Sequence, residues 1–117
     1  MKLKPLPSLK EKKRYIVFRV LGDRSKYPLE FQAVRDAILN SVLNWLGEET
    51  SARAGVWVIR NLWDQKRQSG FIRCSRKEVD LVKTALAMVH QIGDQRVIIR
   101  TLKVIGTIRR GKSQDAK

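Results

Sequence analysis

The stretch RVIIRTLKVIGTIRR, residues 96–110, decides the fold of this chain. Its side chains alternate as they do in a β-strand: Val97, Ile99 and Thr101 share one face, and Arg96, Ile98 and Arg100 share the other. A strand buried on both faces would not hold two arginines on the same side. The pattern therefore predicts a strand with one packed face and one functional face, placed centrally in a small antiparallel sheet.

The charge of the chain is strongly positive. Lys and Arg number 25 against 11 Asp and Glu, which gives a net charge of +14 for 117 residues. Such an excess favours a polyanionic partner over a merely solubilising surface. Residues 1–14 hold six basic residues and residues 96–117 hold seven, with one acidic residue in each segment. Basic arms of this kind can follow phosphates without a fold of their own.

The composition is that of one globular domain. A hydrophobic fraction of 43% can form a core, and the length fits a single domain. The single cysteine excludes an internal disulfide and is typical of a reducing compartment. No apolar run is long enough to cross a membrane, and residues 1–4 do not lead into a signal peptide. We therefore expect a cytoplasmic protein, although binding to a membrane surface stays open.

Strand and helix patterns alternate along the chain. The sequence predicts strands at residues 14–21, 53–63, 70–74 and 96–110, and helices at residues 28–47 and 75–93. A loop is expected at residues 48–52. The first helix should bury a stripe at spacings of three and four, formed by Phe31, Val34, Ile38, Val42 and Trp45. The second should begin at a capping box, Ser75 to Glu78, and bury Val79, Val82, Leu86, Val89 and Ile92.

This order of elements predicts an α+β fold, a ferredoxin-like (RNA-recognition-like) βαββαβ sandwich. Right-handed crossovers would place both helices on one face of a four-stranded antiparallel sheet. The domain would span residues 14–110, between a basic extended arm (1–13) and a basic C-terminal tail (111–117). The other face of the sheet would be left available, exposing Arg19, Phe71, Arg73, Arg96 and Arg100, with either Trp57 or Arg60.

Few residues of the chain suit catalysis. His90 and Cys74 are the only residues of their kinds, and one of each cannot form the usual zinc sets. Cys74 is expected to be a buried structural thiol. Glu48 and Glu49, which are adjacent to each other, fit an ordinary loop.

Residues 69–73 resemble only the start of the base-stacking motif of RNA-recognition domains, with Arg73 at its second aromatic place. The face therefore favours structured RNA phosphates or a protein partner, and a solvated basic face remains the alternative.

Four stretches resemble one known family. Lys4-Pro5, LKEKKRYI (residues 9–16), GFIRC (residues 70–74) and RTLKVIGTIR (residues 100–109) occur in the order found in the archaeal and eukaryotic ribonuclease P protein component 2 family. The resemblance spans nearly the whole chain, and the closing stretch is its most specific part.

The resemblance implies a protein subunit of the ribonucleoprotein that removes 5′ leaders from precursor tRNA. In that family the RNA subunit supplies the active site, so the protein would bind no cofactor itself and Mg²⁺ would act with the RNA. The implied partners are the ribonuclease P RNA, the TIM-barrel-like component 3, the other protein subunits and, indirectly, precursor tRNA. A homodimer within a heterotetramer is compatible with the resemblance. The fold implied is again ferredoxin-like.

Two sets of residues are our candidates for binding. The RNA-binding candidates are basic residues of the arms and strands: Lys10, Lys12, Lys13, Arg14, Arg73, Arg100, Arg109 and Arg110. The candidates for contact with a protein partner are Trp57, Phe71 and Leu102. Two other classes stay open, a general RNA-binding module outside a processing enzyme and a basic protein-interaction subunit.

Overall fold

The computed structural model describes residues 12–22 and 28–106. In this part of the chain, two α-helices accompany a five-stranded antiparallel sheet. The strands are β1 (Lys13–Gly22), β2 (Trp57–Val58), β3 (Ser69–Ser75), β4 (Gln91–Ile92) and β5 (Gln95–Ile105). The helices are α1 (Phe31–Ala54) and α2 (Val79–Ala87), and 3₁₀ turns cover Arg60–Leu62 and Arg76–Glu78. The spatial order of the strands is β2-β3-β1-β5-β4.

Strand β1 occupies the centre of this sheet. It pairs with β3 from Lys13 to Arg19 and with β5 from Tyr15 to Gly22. Strand β5, predicted to be central, pairs with β4 only at Gln95 and Arg96. Beyond that pairing no strand in the described part of the chain covers the outer edge of β5. The central position therefore belongs to β1, because β4 is too short to extend the sheet along β5.

The predicted alternation of faces is confirmed in β5. Val97 and Ile99 are 5% and 4% exposed, whereas Arg96 and Arg100 are exposed. The buried face of the sheet joins the apolar stripes of both helices in one core, whose strand residues include Ile16, Phe18, Ile72 and Cys74. Both helices therefore cover the same face, and the opposite face of the sheet stays open.

Helix α1 is longer than the sequence suggested. Gly47, predicted to end it, adopts a φ of 84° and a ψ of 170°, which kinks the helix without ending it. Residues 48–52, predicted as a loop, are helical. The helix ends instead at Gly55, whose left-handed backbone (φ 57°) lets its N–H donate to the Ser51 carbonyl at 3.1 Å.

The expected position of Trp45 in the core was wrong. Its side chain is 58% exposed, although the preceding stripe residues are buried. Leu46, four residues after Val42, packs against the core in its place. The i, i+4 row therefore continues through Leu46 and leaves Trp45 on the flank of the helix.

The prediction of a strand at residues 53–63 was also largely wrong. Only Trp57 and Val58 pair with β3. The chain then turns through Arg60–Leu62, and Trp63 packs against Phe18 and Phe31 at centroid distances of 6.2 and 6.1 Å. The apolar residues of this stretch that resembled a strand thus include Trp63, whose ring packs against the core.

The second helix is shorter than predicted, and this changes the strand count. Helix α2 ends at Ala87, and Val89 and Ile92 are buried from outside it. A turn with Gly93 at φ 64° then joins β4 to β5, which gives five strands where four were expected. The predicted capping interaction is absent, because Ser75 makes no side-chain capping hydrogen bond.

Neither described helix is both long and apolar enough to cross a membrane.

Gly70 gives a direct test of the packing between β1 and β3. A Cβ atom there would lie 3.0 Å from Trp63 Cε3 and 3.1 Å from Phe18 Cζ, and both rings are held by the core. We expect Gly70→Ala to lower the free energy of unfolding by about 1–3 kcal/mol. Gly106→Ala is the matched control, because the nearest atom to its new Cβ would be Arg14 Nη1 at 3.8 Å. Equal urea midpoints for the two variants would contradict this account of Gly70.

Candidate nucleic-acid interface

The open face of the sheet is defined by strand register. Arg73 pairs with Tyr15, and Arg100 pairs with Arg19. Because side chains directly opposite in an antiparallel sheet point to the same face, these arginines share the face that the helices leave free. The strand register confirms the prediction that Arg19, Arg73, Arg96 and Arg100 share one face. Arg73 is half-buried, and the other three are exposed.

Arg73 is held in place by Trp57. The two residues pair across β2 and β3, and the Arg73 guanidinium carbon lies 4.6 Å from the centroid of the Trp57 ring. The indole is itself 58% exposed. A guanidinium stacked on an aromatic ring can still donate from its terminal nitrogens to a phosphate. An RNA-binding candidate and a protein-binding candidate therefore form one stacked pair.

The hydrogen bonding of Arg73 is incomplete at its Nε atom. It is buried and has no hydrogen-bond partner in the described part of the chain. A buried unpaired donor is costly, so the stack with Trp57 fixes a side chain whose hydrogen bonding is incomplete.

The two remaining protein-binding candidates differ in exposure. Leu102 is 48% exposed, whereas Phe71 is only 4% exposed and offers a partner almost no surface. Leu102 lies at an irregularity in the pairing, where Val17 faces Lys103 and Phe18 faces Thr101. The extra residue in β5 is therefore Leu102.

The basic residues at the start of β1 lie where that strand enters the sheet. Lys12 and Lys13 are exposed, and Arg14 is half-buried with its Nη1 donating to the Lys13 carbonyl at 2.9 Å. The Arg76 N–H donates to the Lys12 carbonyl at 2.9 Å and fixes the backbone there. The other arm candidates, Lys10, Arg109 and Arg110, lie outside the described residues.

The residues considered for catalysis lie apart from this face. Cys74 is fully buried, and burial raises the pKa of its thiol from 9.0 to about 11, with a smaller contribution from the charge of Glu78. His90 is exposed, and its Nδ1 lies 3.3 Å from the Met88 carbonyl oxygen. Over residues 12–22 and 28–106, no three His, Cys, Asp or Glu side chains cluster as metal ligands would.

Ile98, which was not among the predicted binding residues, has a side chain that is 64% exposed on the open face. The alternation in residues 96–100 already placed it beside Arg96 and Arg100. Ile98 therefore adds apolar surface to the otherwise basic open face.

Comparisons with known proteins agree on one family. The model of the Rpp14/Pop5 family matches residues 14–114. Ribonuclease P protein component 2 of Thermococcus kodakarensis is 42% identical over 106 residues, which cover 91% of this chain and 84% of that protein. The protein of the same name from Methanocaldococcus jannaschii is 36% identical over 91% of this chain and 74% of its own length.

A solved structure has the same fold. One chain in the cryo-EM structure of yeast ribonuclease MRP superposes with a TM-score of 0.64 over 97% of this chain and 98% of that one. The two sequences are 12% identical, so this comparison describes the fold alone.

The raised pKa of Cys74 predicts how stability depends on pH. Because the folded-state pKa lies above the unfolded value of 9.0, the neutral thiol stabilises the fold fully below pH 9 and loses that contribution as the pH rises toward about 11. Between pH 8 and pH 10 the stability of the natural chain should therefore fall by about 1 kcal/mol more than that of Cys74→Ala. Urea unfolding of both proteins measures this, and parallel pH profiles would refute it.

Proposed function

The chain belongs to the Rpp14/Pop5 family, and we propose that it serves as a protein subunit of ribonuclease P, the ribonucleoprotein that removes 5′ leaders from precursor tRNA. The observation that carries this proposal is the 42% identity, over 91% of the chain, to a protein named ribonuclease P protein component 2. The arginine-bearing open face supplies a surface suited to that role.

We assign an electrostatic role to the chain. Arg73 and Arg100 on the sheet, together with Lys12, Lys13 and Arg14 at its entrance, would neutralise phosphates that crowd together in the folded RNA. Neutralisation lowers the free energy needed to compact the RNA and to keep Mg²⁺ at its catalytic centre. In this proposal the RNA and its Mg²⁺ perform the cleavage, and the protein binds no cofactor of its own.

The proposal includes a protein partner as well as RNA. We propose that the chain acts as a pair with component 3, the TIM-barrel-like subunit, through exposed apolar side chains that include Trp57 and Leu102. Large exposed aromatic side chains are frequent anchors of protein interfaces. Contact with the other subunits, indirect contact with precursor tRNA, a homodimer within a heterotetramer and a cytoplasmic location stay predictions.

Reconstitution tests the proposal. The chain is mixed with a ribonuclease P RNA, with and without component 3, and release of the 5′ leader is followed at moderate Mg²⁺ concentration. Stimulation that requires both proteins supports the subunit role and the pairing. RNA binding without stimulation would instead indicate a general RNA-binding module, and an absence of both would indicate a protein-interaction subunit.

The residues at the start of β1 give a sharper prediction in the same assay. We expect Lys12→Ala, Lys13→Ala and Arg14→Ala in combination to reduce stimulation of cleavage. If the natural chain neutralises about six phosphates, the slope of log affinity against log salt is about −4 to −5, and losing three contacts should make it shallower by about 2 to 3.

The control keeps the charge and changes the side chains. Lys12→Arg, Lys13→Arg and Arg14→Lys in combination should retain most of the stimulation and the salt slope of the natural chain. An alanine variant with unchanged cleavage and an unchanged slope would remove these three residues from the RNA interface.

A further inference from the structure

The outer side of β5, the side away from β1, is a strand edge. Strand β4 covers only its first residues, and just beyond that pairing the Val97 N–H donates to the His90 carbonyl at 3.0 Å. From residue 98 to residue 105, no strand in the described part of the chain lies on this side of β5. An edge of this length can take an extended segment of another molecule as an additional strand.

The backbone of β5 presents hydrogen-bonding groups along this edge. The N–H and C=O groups of successive residues alternate between the two sides of a strand. Because the Val97 N–H points away from β1, the backbone groups of Ile99 and Thr101 point outward as well. No backbone hydrogen bond among residues 12–22 and 28–106 occupies these outward groups. An extended peptide can pair with them, whereas a nucleic acid has no matching row of N–H and C=O groups.

The charge along this edge is positive on the open face. Arg100 and Lys103 are exposed, and they pair with Arg19 and Val17 of β1. The pairing of Arg19 with Arg100 places two like charges opposite each other, which destabilises an antiparallel sheet. An acidic residue on an added strand would lie on the other side of Arg100 and offset this repulsion. The edge therefore favours a segment that carries carboxylates.

Exposed apolar side chains lie along the same strand. Ile98, Leu102 and Val104 all have large exposed fractions. A segment that pairs with β5 would remove part of this apolar surface from water. Successive residues of a strand point to opposite faces, so such a segment can be acidic toward the open face and apolar toward the helices. The chemistry of the edge thus matches a strand in which acidic and apolar residues alternate.

We propose that the outer edge of β5, beyond β4, binds an extended acidic segment of a protein partner, which pairs with the backbone and places carboxylates beside Arg100 and Lys103. A second copy of β5 does not fit this edge, because it would bring the same basic residues together. The site goes beyond the proposed role in ribonuclease P and does not depend on it.

The test uses a labelled synthetic peptide of about eight residues in which Glu alternates with Val. Its binding to the full-length chain is measured by fluorescence anisotropy without RNA, because Arg100 is also a candidate for contact with RNA. We expect Arg100→Glu with Lys103→Glu to weaken binding about tenfold or more, since two attractive cross-strand pairs become repulsive. A peptide with Lys in place of Glu should show the opposite preference between the two proteins.

A matched control makes the same change of charge elsewhere. Arg76→Glu with Lys77→Glu alters two exposed residues in the 3₁₀ turn after β3, and it should leave binding of the Glu peptide within about twofold of the natural chain, because separated surface charges are screened. Unfolding curves for both variants show that the fold is kept.

Hydrogen exchange tests the backbone pairing separately from the charges. Saturation with the Glu peptide should slow exchange of the Ile99 and Thr101 amides, because an added strand accepts hydrogen bonds from them. The same peptide with every amide N-methylated keeps its carboxylates but clashes with the edge and loses its donors. We expect it to bind more weakly and to leave the exchange of both amides unchanged.

Four results would overturn the inference. One is a Glu peptide that does not bind, and another is an equal loss of binding in the β5 variant and the control variant. The third is unchanged exchange of the Ile99 and Thr101 amides in the saturated complex. The fourth is a dimer of the chain that the peptide dissociates, which would make the edge an interface between copies. Leader release in the reconstitution is measured separately, so that failure of this proposal is distinguishable from failure of the subunit role.

Discussion

The structure depends on the double pairing of β1. This strand hydrogen-bonds to β3 on one side and to β5 on the other, so its register sets which residues of all three strands point toward the helices. Ile16 and Phe18 then lie in the core, and the alternate residues, Val17 and Arg19, face outward. A shift of one residue would exchange the two faces and place arginine beneath the helices. The core and the basic face are therefore consequences of one alignment.

The open face combines two kinds of surface that are usually separate. Arg19, Arg73 and Arg100 supply charge, while Val17 and Phe71 are covered by their neighbours although they lie on the side away from the helices. An apolar layer on both sides stiffens the middle of the sheet, since its inner residues pack above and below the backbone. Arg19, bonded to the Arg67 carbonyl, and Arg73, stacked on Trp57, are in addition held by their neighbours, which reduces the side-chain entropy that each loses on meeting a ligand. This arrangement is compatible with the electrostatic role toward RNA that we propose for the chain.

The sequence was most informative where alternation was long and regular. The faces of β5 and the shared side of Arg73 and Arg100 followed from a period of two, and the family resemblance followed from four short motifs. It was least informative where a local signal had two physical outcomes: a glycine can end or kink a helix, and Gly47 does the latter. The two-residue β4 gives no periodicity to detect. The pairing of Arg19 with Arg100 joins residues far apart in sequence, and it required the register.

The outer edge of β5, beyond its pairing with β4, is covered by no strand among residues 12–22 and 28–106, and this has a consequence for the chain on its own. Edge strands with free backbone groups promote association of one molecule with another, and charged side chains along the edge commonly oppose it. Here Arg100 and Lys103 provide that repulsion. A polyanion that neutralises these charges removes this protection. Nucleic acid that remains bound during purification would therefore promote association of the chain through the edge of β5. The same basic side chains of β5 thus contribute to the solubility of the isolated chain and to its attraction for polyanions.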